Sequence, residues 1–184
     1  MLKLSLLKLA TFLIGLSVGG ASVKKKPAVV PDNHPAMSRA ASRADEILEV
    51  VESMVADPAQ REAWTRSLFG WEYWEAGWFV SPAGSNDDGK ACGVLQIHNP
   101  EGILNGATCE MLRKDGKLAA KVALTLLLER EKTCGSKAAA WTAFSWDGAC
   151  HPQTLSIVKY RCLRLGLTDK CEAKPAPTTE PANK

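Results

Sequence analysis

Two carboxylates lie in a segment of the chain that is rich in aromatic residues. Glu72 and Glu75 are three positions apart, and four large rings stand close to them in sequence: Trp71, Trp74, Trp78 and Phe79. Apolar rings disfavour the charged form of a carboxylate, and a neutral carboxylic acid can protonate a leaving oxygen such as that of a glycosidic bond. Aromatic faces also pack against the C–H faces of sugar rings. These residue types are compatible with acid catalysis on a glycan, but by themselves they fit a structural aromatic cluster better.

Four short segments occur in a defined order from Glu75 onwards. They are Glu75-Ala-Gly-Trp78, Ser81-Pro-Ala-Gly84, Gly93-Val-Leu-Gln-Ile97 and residues 139–148 (Ala-Ala-Trp-Thr-Ala-Phe-Ser-Trp-Asp-Gly). In this order and spacing the chain resembles the lytic transglycosylase family, which has a lysozyme-like fold. The resemblance covers roughly residues 60 to 150, which is most of the expected globular part.

The resemblance implies a role for Glu75 in cutting the glycan strands of peptidoglycan. Glu75 would protonate the glycosidic oxygen between the two amino sugars and then act as the base toward the muramic acid 6-hydroxyl, which closes a 1,6-anhydro ring. Gln96 and Ile97 would line the groove beside it, opposite a wall containing Phe144 and Ser145. The full set of implied substrate-binding residues is Trp78, Ser81, Gly93, Gln96, Ile97, Phe144 and Ser145.

Glu72 is the rival acid, because it lies close enough to Glu75 to share a helix face. Only Glu75 has the family's downstream spacing, so Glu72 is interpreted as a surface or supporting residue.

Several positions depart from the family pattern. Ala76 replaces the usual Ser, Phe144 the usual Tyr and Ser145 the usual Asn. Most glycosidases use two carboxylates. A second one in this chain would come from Asp87 or Asp88, which lie in a longer insert and are otherwise typical of a solvated turn. A hydrolytic muramidase of the same fold and a glycan- or partner-binding protein without activity therefore remain alternatives to the transglycosylase.

Six cysteines in the second half of the chain indicate disulfides formed in an oxidising compartment. They are Cys92, Cys109, Cys134, Cys150, Cys162 and Cys171, and the sequence does not choose among their possible pairings. A zinc site is the competing interpretation, but no C-x-x-C motif occurs and His151 beside Cys150 is an isolated pair. His98 and His151 lack the context of a nucleophile and are interpreted as ordinary polar residues. Neither a metal nor a cofactor is expected.

The composition is that of a chain that folds as one globular domain. Of the 184 residues, 46% are hydrophobic and 23% are charged, which is ordinary for a protein with a sizeable core. The net charge of +3 falls to +1 without Lys3 and Lys8, since 21 basic residues then face 20 acidic ones. No basic stripe interleaved with aromatic residues occurs, so nucleic acid is not expected as a partner.

The two ends differ in character from the middle. Residues 1–22 combine two lysines, a short apolar run and small residues, the pattern of a signal peptide. An uncleaved anchor is the alternative, and only then would the membrane be a partner. Residues 23–37 carry three prolines and three lysines and are predicted to be a linker, while residues 172–184 are a predicted disordered tail. Residues 38–171 are then the catalytic domain.

This layout predicts export to the periplasm or the extracellular space. The expected partner there is the glycan strands of peptidoglycan. Phage lysis or entry, a secretion or conjugation apparatus and wall turnover would all require the same chemistry.

The spacing of apolar residues in the middle of the chain is helical. Ser42 is the predicted cap of a first helix, and Asp57-Pro58 separates it from a second helix over about Ala59–Ala76 that ends near Gly77. The stretch from Lys117 to Lys132 is apolar enough to lie at the centre of a domain.

Two shorter helices follow in the prediction, one capped by Ser136 and reaching Phe144, the other running from Pro152 to about Leu165. Turn-forming residues dominate residues 80–116, where Val94–Ile97 predicts a small sheet or hairpin. The predicted fold is mainly α: a disulfide-stabilised, lysozyme-like helical domain with a small loop or β-hairpin insert.

Overall fold

The structure of the chain is a computed structural model that describes residues 2–18, 30–31, 33–79, 90–144 and 149–174. These residues form eight α-helices and one 3-10 turn: α1 (Leu2–Val18), α2 (Pro35–Met54), α3 (Pro58–Ala76), α4 (Pro100–Ile103), α5 (Cys109–Lys114), α6 (Gly116–Cys134), α7 (Lys137–Thr142), the 3-10 turn Pro152–Thr154 and α8 (Leu155–Arg164). The prediction of a mainly helical, disulfide-stabilised chain is confirmed. Within the described ranges no strand forms, and the predicted hairpin amounts to one antiparallel bridge between Cys92 and Ile97.

The boundaries of α3 follow the local sequence. The Asp57 side chain caps its first turn by accepting a hydrogen bond from the Gln60 backbone N–H, and Pro58 occupies the first turn, where it loses no helical hydrogen bond. Gly77 ends the helix in the left-handed conformation, with φ of 56°. The predicted limits of this helix are therefore confirmed to within one residue.

The predicted start of α2 at Ser42 is wrong, because the helix begins at Pro35. His34 is the cap, and its Nδ1 accepts a hydrogen bond of 3.2 Å from the Ala36 backbone N–H. Ala36 and Ala40 extend the buried face toward the N-terminus. The last three residues of the predicted linker, 35–37, thus belong to a helix, whereas residues 23–29 lie outside the described ranges.

Helix α6 lies at the centre of the core, as predicted from its apolar stripe. Asp115 caps its first turn and Gly135 ends it with φ of 81°. The helix packs most extensively against α7 and α2. Its fully or nearly buried side chains are Ala119, Ala120, Val122, Ala123, Leu124, Leu126 and Leu127.

Helix α1 packs against α2 and α3. Its buried side chains are Leu6, Leu9, Ala10, Leu13 and Ile14. The Tyr73 hydroxyl on α3 donates a 3.0 Å hydrogen bond to the Leu13 carbonyl oxygen, and Arg66 Nη2 donates a 2.7 Å bond to Ser5 Oγ. None of the described helices is both long enough and apolar enough to cross a bilayer. Cleavage after residue 22 stays a prediction.

Three disulfides join the six cysteines in chain order. Cys92 pairs with Cys109, Cys134 with Cys150, and Cys162 with Cys171. The prediction of disulfides is confirmed, and the structure adds their pairing. The first bond ties the bridge at Cys92 to the start of α5, and the other two flank α8.

Candidate active site

One cleft of about 620 Å³ opens between the end of α3, the 90–98 segment, α7 and α8. This volume is typical of a small-molecule or oligomer site. We refer to it as the cleft; its lining residues are Trp71, Glu75, Lys90, Leu95, Gln96, His98, Trp141, Thr142, Phe144, His151, Thr154, Ile157, Val158 and Arg161.

Glu75 stands on the last turn of α3, at the edge of the cleft. The left-handed turn at Gly77 ends the helix two residues later, so that the chain leaves Glu75 uncovered. The Glu75 side chain keeps 32% of its surface exposed, and its Oε1 accepts a hydrogen bond of 3.3 Å from Arg161 Nη1. The residue predicted to be the acid is thus accessible from the cleft and paired with a cation.

Arg161, on α8, also lines the cleft and contacts Glu75 there. Its guanidinium carbon lies 5.4 Å from the centre of the Trp71 ring and 5.1 Å from that of Trp74. Both distances fall within the range of favourable cation–π contacts. The two indoles therefore hold Arg161 in place independently of its bond to Glu75.

Three aromatic rings form one side of the cleft. Trp71 and Trp141 stack at 4.1 Å with an angle of 17° between their planes, and Phe144 tilts against Trp141 at 5.2 Å. The indole N–H of Trp141 is buried and has no hydrogen-bond acceptor among the described residues. A buried donor of this kind is available to a water or ligand acceptor.

The wall beside Glu75 comes from a tight turn over residues 92–97. Cys92 and Ile97 exchange two backbone hydrogen bonds of 2.9 Å, and between them Gln96 Nε2 donates a 2.9 Å bond to the Gly93 carbonyl oxygen. Gly93 has φ of 65°, and a Cβ at this position would come within 2.7 Å of the Leu112 carbonyl oxygen. Glycine is required at position 93 on both counts, and the turn it permits presents Gln96 to the cleft.

The other wall is held by short-range contacts around α7 and the start of α8. The Ser136 side chain caps α7, as predicted, by accepting from the Ala139 N–H. The His151 backbone N–H donates a 2.9 Å bond to Thr142 Oγ1, which joins the segment before α8 to the end of α7. Phe144, just beyond α7, lines the same cleft as Gln96.

Trp78 does not line the cleft, and its predicted role in substrate contact is corrected. Its side chain is only 1% exposed and packs against Phe69 and Tyr73 at 4.9 and 4.6 Å. Its indole N–H donates a 2.9 Å hydrogen bond to the Phe69 carbonyl oxygen. Trp78 supports the end of α3 from inside the core, because the left-handed turn at Gly77 directs the chain inward.

Two other predicted substrate contacts are supporting residues. Ile97 is buried and borders only a small void of about 10 Å³ that it shares with Phe144 and other neighbours of the cleft. Gly93 supports the site by permitting the turn over residues 92–97, which presents Gln96 to the cleft. Ser81, Ser145 and the alternative carboxylates Asp87 and Asp88 lie outside the described residues.

Glu72, the rival acid, is fully buried away from the cleft. Arg43 on α2 donates two hydrogen bonds to it, from Nε to Oε2 at 2.8 Å and from Nη2 to Oε1 at 2.6 Å. Arg43 also bonds the Gly116 carbonyl oxygen at 2.9 Å and pairs with Glu46. Burial raises the pKa of Glu72, against the lowering effect of the Arg43 hydrogen bonds and charge. Glu72 is therefore a structural carboxylate that ties α3 to α2 and α6.

Four lysine, arginine and histidine side chains of the cleft are absent from the set that the sequence predicts. Lys90, His98 and His151 line it together with Arg161. The sequence context of the two histidines indicates no role, and Arg161 is 86 positions from Glu75 in sequence, so no local spacing links the two. Nowhere in the described part of the chain do three or more His, Cys, Asp or Glu side chains come together as a metal site would require.

Comparisons of the chain with family models, with curated proteins and with solved structures found no match.

Proposed function

We propose that this protein is an exported lytic transglycosylase that cleaves the bond between N-acetylmuramic acid and N-acetylglucosamine in peptidoglycan, with Glu75 as its acid and base. One observation carries the proposal. Glu75, Gln96 and Phe144 come from three separate segments of the family resemblance, and all three line the same cleft. The three disulfides support the assignment to an oxidising compartment outside the cytoplasm.

The chemistry assigns two steps to one carboxyl group. Glu75 first gives its proton to the glycosidic oxygen, which leaves with the N-acetylglucosamine side as an alcohol. The resulting carboxylate then takes the proton of the muramic 6-hydroxyl, whose oxygen bonds to C1 and closes the 1,6-anhydro ring. The stacked pair Trp71 and Trp141 and the ring of Phe144 supply the apolar surface on which sugar rings pack.

Hydrolysis is the first alternative, because a positioned second carboxylate would activate water in place of the 6-hydroxyl. Among the described residues that line the cleft, Glu75 is the one carboxylate, which favours ring closure. Asp87 and Asp88 would be the residues to test if reducing ends were found.

A binding protein without catalytic activity is the second alternative. The observation that favours it is the ion pair of Glu75 with Arg161, since an acid must be free to reach the glycosidic oxygen.

Digestion of purified peptidoglycan by the disulfide-intact protein separates these three functions. Mass analysis of the muropeptides would show 1,6-anhydro ends for the transglycosylase, which are lighter by one water than the reducing ends left by a hydrolase. Retention of the protein on peptidoglycan without any released product would contradict both enzymatic functions and leave the binding protein.

A further inference from the structure

We infer that Arg161 binds a carboxylate of the glycan strand and exchanges Glu75 for it when the strand enters the cleft. The inference rests on the proposed function, since it concerns the ligand of the same cleft. It adds a specificity-determining residue and a chemical reason for preferring the muramic acid side of the bond. N-acetylglucosamine carries no carboxyl group, whereas muramic acid has a lactyl carboxyl or the stem peptide attached to it.

The first argument is the hydrogen-bonding capacity of Arg161. A guanidinium has five N–H donors and no acceptor. Among the described residues, the side chain of Arg161 donates to a single acceptor, Glu75 Oε1. The contact is long, at 3.3 Å, whereas charge-assisted bonds of this type are about 2.7–2.9 Å and Arg–carboxylate pairs are often bidentate. Glu75 therefore occupies one donor of Arg161, through a long contact, and leaves the remaining donors for a ligand.

The second argument is the low cost of exchange. Arg161 and Glu75 keep 31% and 32% of their side-chain surfaces exposed, and ion pairs of such exposure contribute only about 0–1 kcal/mol. The faces of Trp71 and Trp74 continue to hold the guanidinium whichever anion it binds. A ligand carboxylate in bidentate geometry can thus displace Glu75 while Arg161 stays in place.

The third argument is the charge of this side of the cleft. Residues 149–168, which include all of α8, contribute Arg161 to the lining and contain no aspartate or glutamate. Lys90 lines the cleft as a second cation, and Glu75 is the one carboxylate that the described residues contribute to the lining. An anionic ligand is therefore favoured over a neutral one.

The exchange has a consequence for the proposed reaction. While Glu75 accepts from Arg161, its Oε1 faces α8 and not a bound sugar. Once a ligand carboxylate takes its place, Glu75 is released beside the glycosidic oxygen. A strand that carries the anionic group would thereby free Glu75 to act as the acid, and a neutral glycan would not.

The test measures binding by calorimetry with the Glu75→Gln variant, which removes both turnover and the competing carboxylate. The probes are denuded glycan tetrasaccharide, with free lactyl carboxylates, its methyl ester, and a stem-bearing muropeptide dimer before and after amidation of its carboxyls. We expect the free acid to bind roughly tenfold more tightly than its neutral form, the size of one bidentate contact. Discrimination with the tetrasaccharide identifies the lactyl group, and discrimination confined to the muropeptide identifies the stem; either supports the inference.

Three variants complete the experiment. Arg161→Gln should abolish the discrimination, Arg161→Lys should retain part of it, and Arg164→Gln should leave it unchanged. Arg164 is the matched control because it lies on the same helix and bonds the Tyr160 hydroxyl. In the presence of Glu75 the same acid should bind several-fold more weakly than to Glu75→Gln. If cleavage occurs, Arg161→Gln should raise KM for acidic strands more than it lowers kcat.

Equal binding of acid and ester by Glu75→Gln would overturn the inference even if the wild-type protein cleaves peptidoglycan. Discrimination that Arg161→Gln does not reduce would overturn it as well. Conversely, a protein that discriminates but never cleaves would contradict the proposed function and leave the carboxylate site standing.

Discussion

Glu75 Oε1 on α3 and Arg161 Nη1 on α8 lie 3.3 Å apart, and both residues line the cleft. The pair places a candidate acid and a cation in one site, although 86 positions separate them in the chain. Because both side chains remain partly exposed, the pair is a contact that a ligand can open.

Glu75→Gln should lower the release of muropeptides by about 100-fold or more, the range of a lost general acid. Since the side chain is partly exposed, the free energy of unfolding should change by less than about 0.5 kcal/mol. Glu110→Gln is the matched control, because Glu110 is an exposed glutamate in an ion pair with Lys114 and does not line the cleft. Activity of Glu75→Gln close to that of Glu110→Gln would disprove the assignment of the acid.

Glu72→Ala should destabilise the fold by about 3–5 kcal/mol, because it leaves the buried Arg43 guanidinium without its main partner. The double variant Arg43→Met with Glu72→Leu should recover most of this loss, since it removes both buried charges at similar volume. Urea unfolding followed by circular dichroism measures the free energy of unfolding of the single and the double variant. If the single and double variants are equally unstable, an unpaired Arg43 charge is not the cause of the destabilisation by Glu72→Ala.

The raised pKa of Glu72 predicts a dependence of stability on pH. The folded chain holds the proton more tightly than the unfolded chain, whose Glu72 has the ordinary pKa of 4.5. Glu72 therefore contributes its full stabilisation below that pH, and the contribution is lost as pH rises through the raised folded value. The free energy of unfolding of the wild type, relative to Glu72→Gln, should fall as pH rises from about 4. Denaturant titrations at constant ionic strength test this, and a difference that grows with pH would contradict it.

Gly93→Ala should destabilise the fold by about 2–4 kcal/mol and weaken glycan binding. Part of the cost is the left-handed backbone, and part is the overlap of a Cβ with the Leu112 carbonyl oxygen at 2.7 Å. Gly106→Ala provides the comparison, because Gly106 has φ of 83° but no atom within 4 Å of the place where an alanine methyl group would lie. Its cost should be only about 1 kcal/mol. Equal effects of the two substitutions on thermal unfolding would show that the contact with Leu112 carries no weight.

Local signals in the sequence predict the helices well. Three helix ends are fixed by contacts between residues close in sequence, at Asp57-Pro58, Gly77 and Ser136. The sequence pattern alone therefore indicates these ends. The cap at His34 escapes prediction because Ser42 offers a more usual residue type, while the start of α2 is decided by Pro35 and by burial of Ala36 and Ala40.

The candidate site is predictable only in part. The resemblance places Gln96 and Phe144 beside the cleft, where they lie, whereas Trp78 is expected there and lies in the core. The direction of Trp78 depends on the turn after Gly77 and on the aromatic neighbours that receive it, which spacing does not encode. Arg161 and the cysteine pairing depend on how distant helices pack, so they emerge only from the fold.

Two disulfides constrain α8, the helix that carries Arg161. Cys150 anchors the segment that enters α8 to the end of α6, and Cys162, the neighbour of Arg161, is bonded to Cys171. Arg161 is therefore carried by a helix whose two ends are fastened only after the thiols have been oxidised. In the reduced chain this part of the cleft is held by noncovalent contacts, among them the hydrogen bond from the His151 backbone N–H to Thr142 Oγ1. Oxidation of these thiols is therefore the step that fastens the helix carrying Arg161.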